Sequence, residues 1–317
     1  MVTPEILHYL SAGIAICFGS IGAGIGQGIG ACSGVGSMSR QPVGNDQIFR
    51  TMVIGLAFIE SGVLFTLVIA LLTLFGTKVV TMPIAIAELG MALAIGVSAL
   101  AISIASSFAV KSTCKSIARQ PFFSQKIVTL MLIAQSMIEA PVVFAFVLVL
   151  MVKANLNETI SIYEGVKYFS ACLCIAIGSI GPSCGQAIFT RYSSRAVGLN
   201  KDAYSKIFTF SIINEAIIQT PLIFSLLVSI LLIYVSVTNT PFSSSVGFLM
   251  AAITTGLGCL GTPIAAGNVG AKGCEELALN PDNYSSLFRS TILAQAFIES
   301  SVIYCLIIAL FLLTKTF

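Results

Sequence analysis

Charge is what this sequence has least of. Sixteen Lys and Arg with thirteen Asp and Glu make up only 9% of its 317 residues, where a soluble domain carries about 25%. So few charges cannot clothe a water-soluble protein of this length, and a mean hydropathy of +0.99 leaves surface that must face lipid or other helices. A net charge of +3 without a basic run gives no electrostatic footprint for nucleic acid. Tryptophan is absent, and the one histidine, His8, cannot build a histidine metal site alone. The nine cysteines are scattered almost wholly through apolar runs and read as small hydrophobes. Cys172 and Cys174, two apart on a helix, point to different faces and make a poor metal pair. No phosphate-binding or nucleophilic motif is present. The glycines from Gly22 to Gly30 are no dinucleotide fingerprint, because no strand precedes them. Neither a catalytic residue nor a resident cofactor or metal is expected.

What fills the chain instead is apolar stretches of membrane-crossing length. Backbone inside a bilayer must satisfy its own hydrogen bonds, so each stretch is expected to be a helix. The reading is an all-α membrane protein of eight spans in four tandem helical hairpins. The expected spans are 7–36 with 48–75, 84–115 with 126–152, 166–190 with 205–236, and 246–273 with 286–314. The repeats are drawn at 1–80, 81–158, 159–240 and 241–317, joined by linkers around 77–83, 153–164 and 236–244. The first span lacks a basic leader and a small-residue cleavage site, so it is expected to be a span and not a signal peptide.

An internal repeat organises these spans. A lone glutamate recurs in similar apolar surroundings as Glu60, Glu139, Glu215 and Glu299. Upstream of each lies a polar triplet: Arg40-Gln41-Pro42, Arg119-Gln120-Pro121, Arg195-Ala196-Val197 and Leu279-Asn280-Pro281. The third residue of each triplet precedes its glutamate by 18 positions. Twelve of the sixteen Lys and Arg lie at or near these loops, and Lys78, Lys153, Lys167 and Lys315 fall on the other side. By the positive-inside rule the hairpin loops are expected to face the cytoplasm, with both termini and the linkers opposite.

The first helix of each repeat is rich in small residues, from Gly22 to Gly36 in repeat one and from Gly256 to Gly270 in repeat four. Such helices can approach closely, as an inner ring would require. The second helix is bulkier and holds the glutamate deep in the membrane, where an ionised carboxylate costs roughly 2.5–3.5 kcal/mol. Desolvation favours the neutral, protonated carboxyl, and a nearby arginine or water channel favours release of the ion.

A glycine-rich helix, an Arg-Gln-Pro loop and a second helix with one mid-membrane glutamate resemble the proteolipid, or c subunit, of the rotary F-type ATP synthases, four times over. The resemblance implies a ring of hairpins built with other copies of the chain, surrounded by membrane lipids in an energy-coupling membrane. It implies contact between the central stalk and the loops: Arg40, Gln41, Pro42, Arg119, Gln120, Pro121, Arg195, Asn280 and Pro281. It also implies a stator subunit whose arginine exchanges ions with Glu60, Glu139, Glu215 and Glu299. Repeat three keeps only the arginine of the triplet and repeat four only Asn-Pro.

Sodium-coupled members of that family place a glutamine on the inner helix and a serine after the glutamate. Gln27 with Ser61, and Ser300 with Tyr304, are similar to that pattern and are the auxiliary ligands to consider, with Gln186 in repeat three. Repeat two has Ser106 and Ala140 in those places, repeat three has Ala216 after its glutamate, and repeat four has Ala266 on the inner helix. The poorest site sets the ion, so the proton is the expected cargo and sodium the alternative. Duplicated proteolipids of vacuolar-type ATPases often lack one carboxylate, and a glutamate in every repeat here favours the synthase type over a vacuolar pump. A hairpin-repeat transporter would also place acids at the midplane, without reason for a loop triplet at a fixed interval.

Overall fold

The computed structural model describes residues 3–76, 79–235 and 242–315. Its helices are α1 (Pro4–Arg40), α2 (Asn45–Gly76), α3 (Met82–Arg119), α4 (Ser124–Asn155), α5 (Ile162–Leu199), α6 (Tyr204–Tyr234), α7 (Phe242–Leu279) and α8 (Tyr284–Lys315). All eight are long and apolar enough to cross a membrane, and no strand occurs among the described residues. The protein is therefore an all-α multi-pass membrane protein of four helical hairpins. Residues 77–78 of the first expected linker, Lys78 among them, and 236–241 of the third lie outside the described residues.

The helices overrun the expected spans, most of all α5, which continues past position 190 to Leu199. Lys and Arg side chains at these ends can hold their charges in water while the backbone stays helical. The turns within hairpins are correspondingly tight. Pro42–Gly44, Pro121–Phe123 and Pro281–Asn283 are single 3₁₀ turns, entered by a proline whose fixed φ suits a first helical position. In the third hairpin Lys201 replaces the proline. There Asn200 shapes the turn, its Oδ1 accepting from the Asp202 and Ala203 amides at 3.1 and 3.4 Å.

The helices form two layers. Helices α1, α3, α5 and α7 pack side by side in one row, and α2, α4 and α6 each lie over the groove between two members of it. Small residues make the row close. A Cβ on Gly22 would stand 2.6 Å from Leu100 Cα, and one on Gly181 would stand 2.8 Å from Leu260 Cα while running into the Cys259 carbonyl. At α8 the pattern stops, and Phe297, Tyr304 and Leu293 are 72%, 67% and 61% exposed.

One polar cluster in this packing has no counterpart in the sequence reading. Glu88 on α3 is fully buried, with His8 Nδ1 of α1 at 2.6 Å and Lys153 Nζ of α4 at 3.3 Å. It ties the first two hairpins together at the end away from their loops. Lys167 of α5, at the same end, donates to the Val235 carbonyl at 3.0 Å.

Candidate functional site

The inner and outer helices of a hairpin run antiparallel, so one contact fixes their register. In hairpin one, a Cβ on Gly26 would stand 2.9 Å from Ile59 Cγ2. The next residue on each helix completes the pair: Gln27 Nε2 donates to Glu60 Oε2 at 3.5 Å. In hairpin three, a Cβ on Gly185 would likewise stand 2.9 Å from Ile218 Cγ2. The pair matching Gln27 and Glu60 is therefore Gln186 and Gln219.

This corrects the placement of Glu215. The residues that end the inner helices are Gln41, Gln120, Asn200 and Asn280. Nineteen positions beyond them stand Glu60, Glu139, Gln219 and Glu299. Glu215 comes one helical turn earlier, about 6 Å nearer the loop. The triplet Arg195-Ala196-Val197 is not the third loop either. It lies inside α5, also one turn early, and the turn itself is Leu199-Asn200-Lys201. Both landmarks slip by four residues, which preserves the interval of 18 between them.

Surroundings separate the carboxyls further. Glu60 is exposed, Glu139 and Glu299 are half-buried, as is Gln219, and Glu215 is 1% exposed. Neither oxygen of Glu215 has a hydrogen-bond partner among the described residues. The equivalents of Glu215 in hairpins two and four are Gln135 and Gln295, both fully buried. Gln295 Nε2 donates to Asn214 Oδ1 at 2.8 Å and to the Ala266 carbonyl at 3.0 Å, which fixes the level of α8 against α6 and α7. Glu215 thus stands where its neighbours keep a packing amide.

Ser61 does not serve the glutamate it follows. Its Oγ lies 3.0 Å from Glu139 Oε1 in the next hairpin and 2.8 Å from the Phe58 carbonyl of its own helix. The residue in the place of Ser61 in hairpin three is Thr220 and not Ala216, because of the same one-turn slip. Ser300 repeats the local geometry of Ser61, its Oγ 2.7 Å from the Phe297 carbonyl, on the open side of α8 beside the exposed Tyr304. Opposite Glu139 on the inner helix is the buried Ser106, and opposite Glu299 is Ala266.

Each of the four hairpins thus presents one polar position at the same mid-helix level, a glutamate in three and a glutamine in the third. Comparison with known proteins identifies the family. The ATP synthase C-subunit family matches the chain four times in tandem, over residues 10–73, 89–152, 169–232 and 249–312, and the chain belongs to that family. Within each match the residue fifty positions past the first is Glu60, Glu139, Gln219 or Glu299. The chain is 47% identical over 66 residues to the ATP synthase c subunit of Geotalea uraniireducens, covering 21% of this chain and 72% of that one. Against the c subunit of Geobacter metallireducens it is 42% identical over 79 residues, 25% of this chain and 87% of the relative. Against that of Natranaerobius thermophilus it is 47% identical over 73 residues, 23% and 84%. Membership makes it a non-catalytic rotor subunit. The carboxylate count no longer separates it from vacuolar proteolipids, since one hairpin has glutamine at the family's position.

Proposed function

We propose that the chain carries protons in the rotor ring of an ATP synthase, on Glu60, Glu139 and Glu299. The observation that carries this is how few oxygens surround Glu139 and Glu299. Ser61 Oγ donates to Glu139 Oε1 at 3.0 Å and the residue opposite on the inner helix is Ser106, while opposite Glu299 stands Ala266. A proton needs only the carboxyl, whereas a sodium ion needs several oxygen ligands. Gln27 and Glu60 make the most sodium-like pair, and Ser300 and Tyr304, on the open side of α8, are placed to reach the Glu60 of a following copy.

In this reading further copies close the ring against α8 and α1, and a stator arginine supplied in trans drives release. The loop ends face the cytoplasmic side and the central stalk, with Gln41, Pro42, Gln120, Pro121, Asn280 and Pro281 at the turns. Carbodiimide labelling tests the ion. Labelling of the three glutamates should fall as pH rises and ignore sodium at constant ionic strength. Protection of all three by sodium at fixed pH refutes the proton assignment.

A further inference from the structure

We propose that the third hairpin passes the stator without an ion, so that each chain delivers three ions per four hairpins. The proposal rests on the carrier reading above and on four observations. The Gly185–Ile218 contact sets Gln219, and not Glu215, against Gln186. The helix ends and the family match both put Gln219 at the carrier position. Glu215 is 1% exposed, between helices, where the carriers Glu60, Glu139 and Glu299 are exposed or half-buried.

The chemistry of glutamine explains how such a ring still turns. A primary amide has the shape of a protonated carboxyl and never ionises, so Gln219 crosses the lipid-facing arc at no charge cost. In front of an arginine it offers a carbonyl oxygen but no charge, and no ion is exchanged. Thr220, in the place of Ser61, gives its hydroxyl to the Ala216 carbonyl of its own helix at 3.3 Å. Glu215 does not rescue the step. A turn of helix displaces it along the membrane normal, and burial keeps it from both the lipid face and any stator. Sealed among helices, with no hydrogen-bond partner among the described residues, it fills the place that Gln135 and Gln295 fill in hairpins two and four.

The test uses the intact synthase. Carbodiimide treatment followed by peptide mass spectrometry should find adducts on Glu60, Glu139 and Glu299 and none on Glu215. Glu215→Gln installs the residue found at the same level in two other hairpins, so the ring should assemble and ATP synthesis should show no loss. Gln219→Glu should create a fourth labelled site, and the proton-motive force needed for net synthesis should fall in proportion to four carriers against three. An adduct on Glu215, lost synthesis in an assembled Glu215→Gln ring, or no adduct at position 219 of the Gln219→Glu ring each overturns the silent step. Glu139→Gln separates the two levels of the proposal: the adduct at position 139 must disappear and the proton-motive force needed for net synthesis must rise in proportion to two carriers against three, and an unchanged threshold overturns the carrier reading itself.

Discussion

Replacing Ser61 by alanine should affect the carboxyl of the following hairpin and leave its own untouched. The hydroxyl is the one side-chain partner that α2 gives Glu139, donating to Oε1 at 3.0 Å. Losing a hydrogen bond of this kind costs about 1 kcal/mol, and because a donor favours the ionised carboxyl the cost falls on ionised Glu139 alone. A free energy of that size is a factor of about five in an equilibrium constant. On the alkaline limb, where labelling is proportional to the protonated fraction, the carbodiimide rate at Glu139 should rise about fivefold. Glu60 and Glu299 should keep their rates, which makes them internal standards in the same digest. The alanine occupies the place that Ala140 already holds in hairpin two, so folding is not at issue. An equal rise at all three glutamates, or a rise at Glu60 alone, refutes the cross-hairpin assignment.

Other expectations follow from packing. Gly181→Val puts a side chain against the backbone of Leu260 and should destabilise the assembled ring by at least about 1–3 kcal/mol, read as a lower dissociation temperature. Gly261 meets nothing within 4 Å inside the chain, so Gly261→Val should leave single chains folded and block ring closure, visible by native mass measurement. Glu88→Ala removes the acid from a buried cluster with His8 and Lys153 and should cost roughly 3–5 kcal/mol in detergent unfolding. If this chain is the sole proteolipid, the hairpin count of the purified ring must be divisible by four, and any other count requires a second proteolipid or cleavage.

Most of the architecture was legible in the sequence because a bilayer allows few solutions. Apolar length fixed eight helices, and lone polar residues at a common interval fixed four hairpins. The helix ends were legible only to within several residues, since the helices that carry Arg40, Arg119 and Arg195 run on past their apolar stretches. The pairing of Ser61 with Glu139 could not be read from adjacency in the chain, because a residue and its successor on a helix point about 100° apart and face different neighbours. The Glu88 cluster was beyond sequence reasoning for a similar reason: its members come from three helices spread over residues 8 to 153.

The slip at hairpin three was legible and shows which landmarks can be trusted in such repeats. Ile138-Glu139-Ala140-Pro141 aligns with Ile218-Gln219-Thr220-Pro221, and Ala134-Gln135 aligns with Asn214-Glu215. Hairpin three has exchanged glutamate and glutamine across one turn. A search for acids therefore finds four copies where a search for levels finds three. One turn keeps a residue on nearly the same face of its helix, so hydrophobic patterning is blind to the exchange. What changes is depth and exposure, and in a rotor those are the variables that matter. A carrier must reach the stator at the same height as its neighbours, whereas a buried acid needs only a cavity of the right shape. Glycine contacts such as Gly26 on Ile59 and Gly185 on Ile218 bring backbone against side chain and allow no slip, so they fix the height where charge alone cannot.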